Sequence, residues 1–198
     1  MNRGRARSAG PATLPFLATL LFAVACATPA AVVFDADGQA CDPRATGDDA
    51  VHVVVFTSHE CPIANAYAPT LAGLAAAPAP APVRWFLVHV DPDLSVAAAR
   101  SHAQEYQLPG TLLFDRRHEL AATLQVQKTP EAVVLRRGRV CYRGRIDDQW
   151  RALGARGEAG QRDLAEAIER ACQGHPTPQP WPPVVGCLLP EPGPKTPR

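Results

Sequence analysis

The chain has 198 residues, 46% of them apolar and 20% charged, which fits one globular domain with appendages. A net charge of +1 gives no electrostatic basis for binding nucleic acid, and three Trp with three Tyr offer no stacking platform for bases. Six cysteines form no CxxC pair and no Cys/His zinc spacing, so neither a metal nor another cofactor is expected.

Residues 1–30 read as an export signal. Arg3, Arg5 and Arg7 form a basic start, and no acid precedes Asp35. Leu14 to Ala25 is apolar but too short to span a bilayer as a permanent helix. Two endings compete. Ala23-Val24-Ala25 is a small-residue cleavage signal; the same residues before Cys26 resemble a bacterial lipobox, which would lipidate Cys26 and anchor the protein to a membrane. An uncleaved anchor is the third alternative. Cleavage at either signal puts the mature chain in the cell envelope, periplasmic or lipid-anchored, where disulfides persist.

Residues 31–50 hold a short edge strand, Ala31 to Phe34, and an Asp/Gly-rich loop carrying Cys41. Val51 to Phe56 then reads as a buried strand, followed by the polar turn Thr57-Ser58-His59-Glu60 and by Cys61-Pro62. Pro62 suits the first position of a helix, where its missing N–H has no partner to lose. Cys61 then sits at a helix start, where the dipole favours a thiolate. The competing reading is a buried structural cysteine. The helix runs to Ala76 with a kink near Pro69, and Pro78 to Pro82 is a stiff linker.

Val83 to Val90 is a second buried strand. Ser95 caps a helix from Val96 to Tyr106. Thr111 to Phe114 is a short strand, and His118 to Leu124 one or two helical turns. Thr129-Pro130 leads into the strand Ala132 to Leu135. Arg136-Arg137-Gly138-Arg139 turns a hairpin, and Val140 to Arg145 returns. Asp163 to Cys172 is a closing helix with Leu164, Ala167, Ile168 and Ala171 on one stripe. The main domain is thus 51–173. The tail, 174–198, is Pro-rich but holds an apolar island, Val184 to Leu189, that includes Cys187. Such an island has no role in an unstructured tail unless it docks.

Two parallel strands joined by a crossover helix, then an antiparallel hairpin and a closing helix, describe an α/β fold with a mixed sheet covered on both faces. Residues Phe56 to Pro62 (FTSHECP), Thr129-Pro130 and the Arg-Arg-Gly hairpin make the chain resemble the thioredoxin fold, a three-layer α/β/α sandwich. Tyr142 to Gln149 (YRGRIDDQ) and Gly186-Cys187 are similar to exported bacterial redoxin-domain, peroxiredoxin-like proteins. The resemblance implies a cis-proline at Pro130 facing the redox cysteine. It implies thiol–disulfide exchange or hydroperoxide reduction at Cys61, with a thiol or disulfide protein, or a small peroxide, as partner.

The departures narrow this. Ala64 stands where a thioredoxin motif has its second cysteine. Val54 stands where a peroxiredoxin motif has proline, although Ser58 fits that motif. Asn65 fills the place of the second cysteine in copper chaperones of this fold. A single nucleophile needs a second thiol to resolve its mixed disulfide or sulfenic acid. Cys187 is favoured as a mobile resolving residue on a flexible tail; a structural Cys41–Cys187 or Cys172–Cys187 staple is the rival. If the fold holds, Thr129 and Pro130 shape a substrate groove with Pro62. Arg145 is then a candidate to stabilise a thiolate, and Asp147 or Asp148 to move protons. A charged loop leading to the last helix is the plainer reading of Arg145 to Asp148. His59 would lower the Cys61 pKa when protonated and Glu60 would raise it. Two non-enzymatic readings stay open: a binding module with a permanent disulfide, and an envelope scaffold in which Cys26 matters more than Cys61.

Overall fold

The computed structural model describes Met1, residues 33–45 and residues 49–193; the export signal and Cys26 lie outside the described residues. The chain begins with β1 (Val33–Asp35), β2 (Ala40–Cys41), β3 (Val51–Thr57), α1 (Pro62–Ala66) and α2 (Ala68–Ala76). It continues through β4 (Val83–His89), α3 (Val96–Glu105), β5 (Thr111–Phe114), α4 (Glu119–Leu124) and β6 (Lys128–Thr129). The last elements are β7 (Glu131–Arg136), β8 (Arg139–Gly144), β9 (Trp150–Ala152), β10 (Ala155–Arg156), α5 (Asp163–Cys172) and β11 (Cys187–Leu188).

Seven strands form one sheet in the order β2-β1-β5-β4-β3-β7-β8. β3 is its centre, buried at every residue. It runs parallel to β4, from Val51↔Val83 to Thr57↔His89, and antiparallel to β7, from Val51↔Arg136 to Phe56↔Glu131. The run of valines is dictated by burial on both faces. Val51, Val53 and Val55 pack with Leu71 of α2 and Leu164 and Ala167 of α5. Val54 and Phe56 pack with Leu120 and Leu124 of α4. Each such aliphatic or aromatic side chain contributes about 1.5–3 kcal/mol on leaving water. This is the expected mixed sheet between helical layers, and the fold is thioredoxin-like.

Local chemistry explains the boundaries. Ser95 caps α3 by accepting the Ala98 N–H at 3.1 Å. Arg137 and Gly138, with φ of 49° and 71°, make the tight turn between β7 and β8 that a hairpin of this hand requires. The helix expected from Pro62 to Ala76 is two helices. They break at Tyr67, because Pro69 has no N–H to give and falls in the first turn of α2.

Two differences concern the sheet and the tail. The strand near Val33 was expected at the edge; β1 instead lies inside β2, because Asp35 accepts the Asp37 and Gln39 N–H groups and folds the chain back on itself. The tail is not free either. Trp181 packs on Tyr142 and under the Arg143 guanidinium, Lys128 Nζ donates to the Val184 carbonyl, and Leu189 N–H donates to Gln127 O. β11 pairs antiparallel with β6, Cys187 opposite Thr129. The exposed hairpin β9–β10, turning at Gly154 (φ 77°), has no apolar pattern to announce it.

Candidate functional site

Parallel pairing of β3 with β4, and antiparallel pairing of β3 with β7, bring three loops to one end of the sheet. They carry Cys61, Asp91 and Pro130. The Thr129–Pro130 peptide is cis, as expected, and the Thr129 carbonyl oxygen lies 3.3 Å from Cys61 Sγ. β11 places Cys187 against the same loop, its Sγ 2.6 Å from Cys61 Sγ. Both are free cysteines. Cys61, only 2% exposed, is covered in this state.

The two thiols have opposite protonation tendencies. Burial pushes the Cys61 thiol up, but its contact with the Cys187 thiol and the nearby Ala64 N–H outweigh it, and the net direction is down. α1 has five residues, so this bias comes from the nearby Ala64 N–H and from Cys187 more than from a long helix dipole. Cys187 is pushed up to about 12 by burial, by its hydrogen bond to Cys61 and by the Cys61 charge. Of the two, Cys61 is the thiol whose ionisation is favoured and Cys187 the one whose proton is retained.

Other residues singled out from the sequence sit elsewhere in this arrangement. Pro62 is exposed at the first position of α1. Ser58 donates to Asp91 Oδ1 at 2.5 Å, and its carbonyl accepts the Cys61 N–H. Both bonds help to shape the turn that presents Cys61. Arg145 is committed to Asp163 at the start of α5 through a 2.7 Å ion pair, because that carboxylate lies in the first turn directly beside it. Asp148 accepts the Gly160 and Gln161 N–H groups, tying down the loop before α5. Asp147 is buried and accepts from the Tyr67 hydroxyl at 2.7 Å and from the Gln149 N–H at 3.0 Å. Burial and the Asp147 carboxylate raise the Tyr67 pKa, so that hydroxyl is a fixed donor at the α1–α2 break.

Sequence reasoning missed a polar cluster behind the Cys61 turn. Asp91 accepts the His59 N–H at 3.0 Å and faces the rings of His59 (3.3 Å) and His89 (3.6 Å). Burial opposes the Asp91 charge, but the nearby His89 ring and hydrogen bonds from the Ser58 hydroxyl and the His59 N–H hold the carboxyl well below its usual range. Asn65 of α1 donates to the His59 carbonyl, and its Oδ1 lies 2.8 Å from His102 Nε2 on α3. Burial, then His89 and His59, lower His102 to about 4. The signal was Thr57↔His89, a pairing that puts the end of β4 beside the turn before Cys61. Among the described residues no group of three His, Cys, Asp or Glu side chains is arranged to hold a metal ion.

No protein-family model and no curated protein sequence matches the chain. Solved structures do. An uncharacterized conserved protein from Geobacillus kaustophilus is 24% identical, with a TM-score of 0.64 over 80% of this chain and 86% of that one. A hypothetical protein from Sinorhizobium meliloti is 20% identical, with a TM-score of 0.62 over 80% and 88%. A secreted Mycobacterium tuberculosis disulfide oxidoreductase is 22% identical, with a TM-score of 0.50 over 72% and 94%. At these identities the likeness speaks to backbone architecture, and with the cis-proline loop at the cysteine end of the sheet it establishes the chain as a thioredoxin-like fold.

Proposed function

We propose that the protein is an extracytoplasmic thiol–disulfide oxidoreductase in which Cys61 is the nucleophile and Cys187 the resolving cysteine. The observation that carries this reading is the 2.6 Å sulfur pair set against the cis-proline loop at the end of the central strand. Cys61 thiolate attacks a partner disulfide, forming a mixed disulfide and releasing one partner thiolate. That attack removes the Cys61 charge and hydrogen bond, two of the causes that keep Cys187 protonated. Cys187 then loses its proton and attacks the Cys61 sulfur. The second partner thiol leaves, and a Cys61–Cys187 disulfide remains. The partner has gained two electrons, with one proton from Cys187 and the other taken up from water by the thiolate released first. A dithiol donor running the same exchange in reverse restores the pair.

Exchange is favoured over peroxide reduction by the surroundings of the sulfur. The Arg145 guanidinium is paired with Asp163 and the Ser58 hydroxyl is bonded to Asp91, so both groups are already committed to carboxylates. Export through residues 1–30, with or without a lipid on Cys26, completes the reading and is tested by the mass and labelling of the mature N-terminus.

The deciding experiment compares wild type, Cys61→Ser and Cys187→Ser in reduction of a protein disulfide and in peroxide consumption. Turnover of the disulfide lost in both variants, with a trapped mixed disulfide in Cys187→Ser, is the expected result. A wild-type Cys61 that stays inert until the protein is unfolded and reduced sinks the proposal in favour of a binding module. Peroxide consumption that depends on Cys61, without disulfide turnover, converts it to a peroxidase.

A further inference from the structure

The tail reaches Cys61 as an added strand, and its sequence fits that seat closely. β6 is two residues long and lies outside the seven-stranded sheet; its strand partner is β11. The seat is demanding at one position. A Cβ placed on Gly186 would lie 2.2 Å from the Thr129 carbonyl oxygen and 2.8 Å from its carbon. Both are backbone atoms of the cis-proline loop, so no side-chain rotation relieves the overlap. Gly186 is buried there. On either side the demand is apolar. Val185 packs on the core that includes Cys61, and Leu189 on the opposite core. Leu188, 75% exposed, meets no such demand.

From this arrangement we infer that the tail is an intrachain strap on a peptide-binding edge, and that the partner displacing it is an extended segment of the pattern apolar-Gly-Cys-any-apolar. The inference rests on the proposed exchange reaction and names its substrate class. The geometry requires displacement, because Cys61 is covered while Cys187 is seated on it. An incoming cysteine must bring its sulfur to the place that Cys187 Sγ holds. Its backbone then pairs with Lys128–Thr129, as β11 does, with main-chain hydrogen bonds for affinity and alternate side chains for specificity. In that register the residue before the cysteine faces the Thr129 carbonyl, and only glycine fits. A cleft of about 1000 Å³ alongside the strap, lined by Leu124, Lys128, Glu131, Arg143, Trp181 and Val184, leaves room for the rest of the partner chain.

The test uses the full chain carrying Gly186→Ala and Cys187→Ser, in which the strap is unseated and Cys61 is the attacking thiol. The probes are two hexapeptides, Val-Val-Gly-Cys-Leu-Leu and Val-Val-Ala-Cys-Leu-Leu, each as a mixed disulfide with thionitrobenzoate. Attack joins the Cys61 sulfur to the peptide sulfur and releases thionitrobenzoate, with the adduct located by peptide mapping. The glycine peptide is expected to react about tenfold faster or more. Equal rates, with the small disulfide of thionitrobenzoate still modifying Cys61, overturn the inference and leave the exchange reading intact. A folded variant whose Cys61 reacts with none of the three reagents overturns both. A second measurement needs no chemistry at sulfur. In Gly186→Ala alone, hydrogen-exchange protection of the Leu189 amide is expected to fall about tenfold or more while the β3 amides keep theirs. Unchanged protection at Leu189 overturns the steric argument.

Discussion

The asymmetry of the thiol pair leads to a counterintuitive expectation: deleting the reactive cysteine makes the other one more reactive. Cys187 is raised to about 12 by burial first, then by its hydrogen bond to Cys61 and the Cys61 charge. At pH 8 a thiol of pKa about 12 is ionised to roughly 1 part in 10⁴, against about one quarter for an unperturbed thiol of pKa about 8.5. That is a deficit of about 3.4 decades. A more basic thiolate is the better nucleophile, with a Brønsted slope of about 0.45, which restores about 1.6 decades over the 3.5-unit difference. The net effect is a suppression of roughly sixtyfold. Burial remains in Cys61→Ser, so the recovery is partial, between about threefold and that ceiling. The assay is iodoacetamide labelling of reduced, folded protein at pH 8, quenched over time and mapped by mass spectrometry. The expected order is Cys61 before Cys187 in wild type, and faster labelling of Cys187 in Cys61→Ser than in wild type. Cys187 labelling that is equal or slower in the variant refutes the coupled-proton account.

Three further outcomes follow from the polar groups around the pair. Tyr67→Phe removes the 2.7 Å hydrogen bond to buried Asp147, and thermal unfolding should show a loss of about 2 kcal/mol, or roughly 4–8 °C in Tm. His102, held neutral with a pKa of about 4 against about 6.5 unfolded, makes the unfolded state bind more protons; stability falls as pH drops from about 6.5 to 4, by up to about 3 kcal/mol, and denaturant titrations of His102→Gln should show a flatter slope there. Asp91 is lowered instead, so its contribution is present above about pH 4 and is lost only in stronger acid; Asp91→Asn should melt below wild type at pH 5–7, and a gap that closes by pH 5 contradicts the assignment.

Much of the fold was legible because hydrophobic period and turn chemistry agreed along the chain. The all-buried valine run specified β3, Ser95 specified the start of α3, and Arg137-Gly138 specified the hairpin. The cis Thr129–Pro130 loop was legible only through resemblance, and the antiparallel entry of the strand after it then put the loop at the Cys61 end. Side-chain commitments were not legible. Arg145 and Asp163 lie 18 positions apart and Ser58 and Asp91 33 apart, so no local spacing announces either pair. The same holds for the histidines. His59, His89 and His102 look scattered until the register of β3 with β4 and the crossing of α3 gather them behind one turn. The tail was half legible. Its apolar island implied docking, but nothing in the composition said that the docked form would be a strand paired with the residue before the cis-proline.

The placement of the second cysteine has an energetic consequence that a local motif would lack. Ala64, buried in α1, stands where a second motif cysteine would close a loop of four residues. Cys187 lies 126 positions from Cys61. In the chain-entropy treatment, a cross-link of that span restricts the unfolded chain by about 5 kcal/mol, against about 2 kcal/mol for a four-residue loop. Native-state strain and residual unfolded structure reduce such figures, and measured values centre on about 2–4 kcal/mol. Oxidising the pair should therefore raise Tm by roughly 4–16 °C for a chain of this size. The effect should vanish in Cys187→Ser under the same oxidant. Calorimetry of the reduced and oxidised forms decides the matter. Equal melting temperatures, with the Cys61–Cys187 disulfide verified by mass, would show that native-state strain or residual unfolded structure cancels the entropic gain and would refute the expectation. A rise of the expected size means that the long span of the cross-link, by restricting the unfolded chain, ties the stability of the domain to its redox state. In the reduced state the strap is still seated over Cys61, so a partner must displace it even after the cross-link is gone.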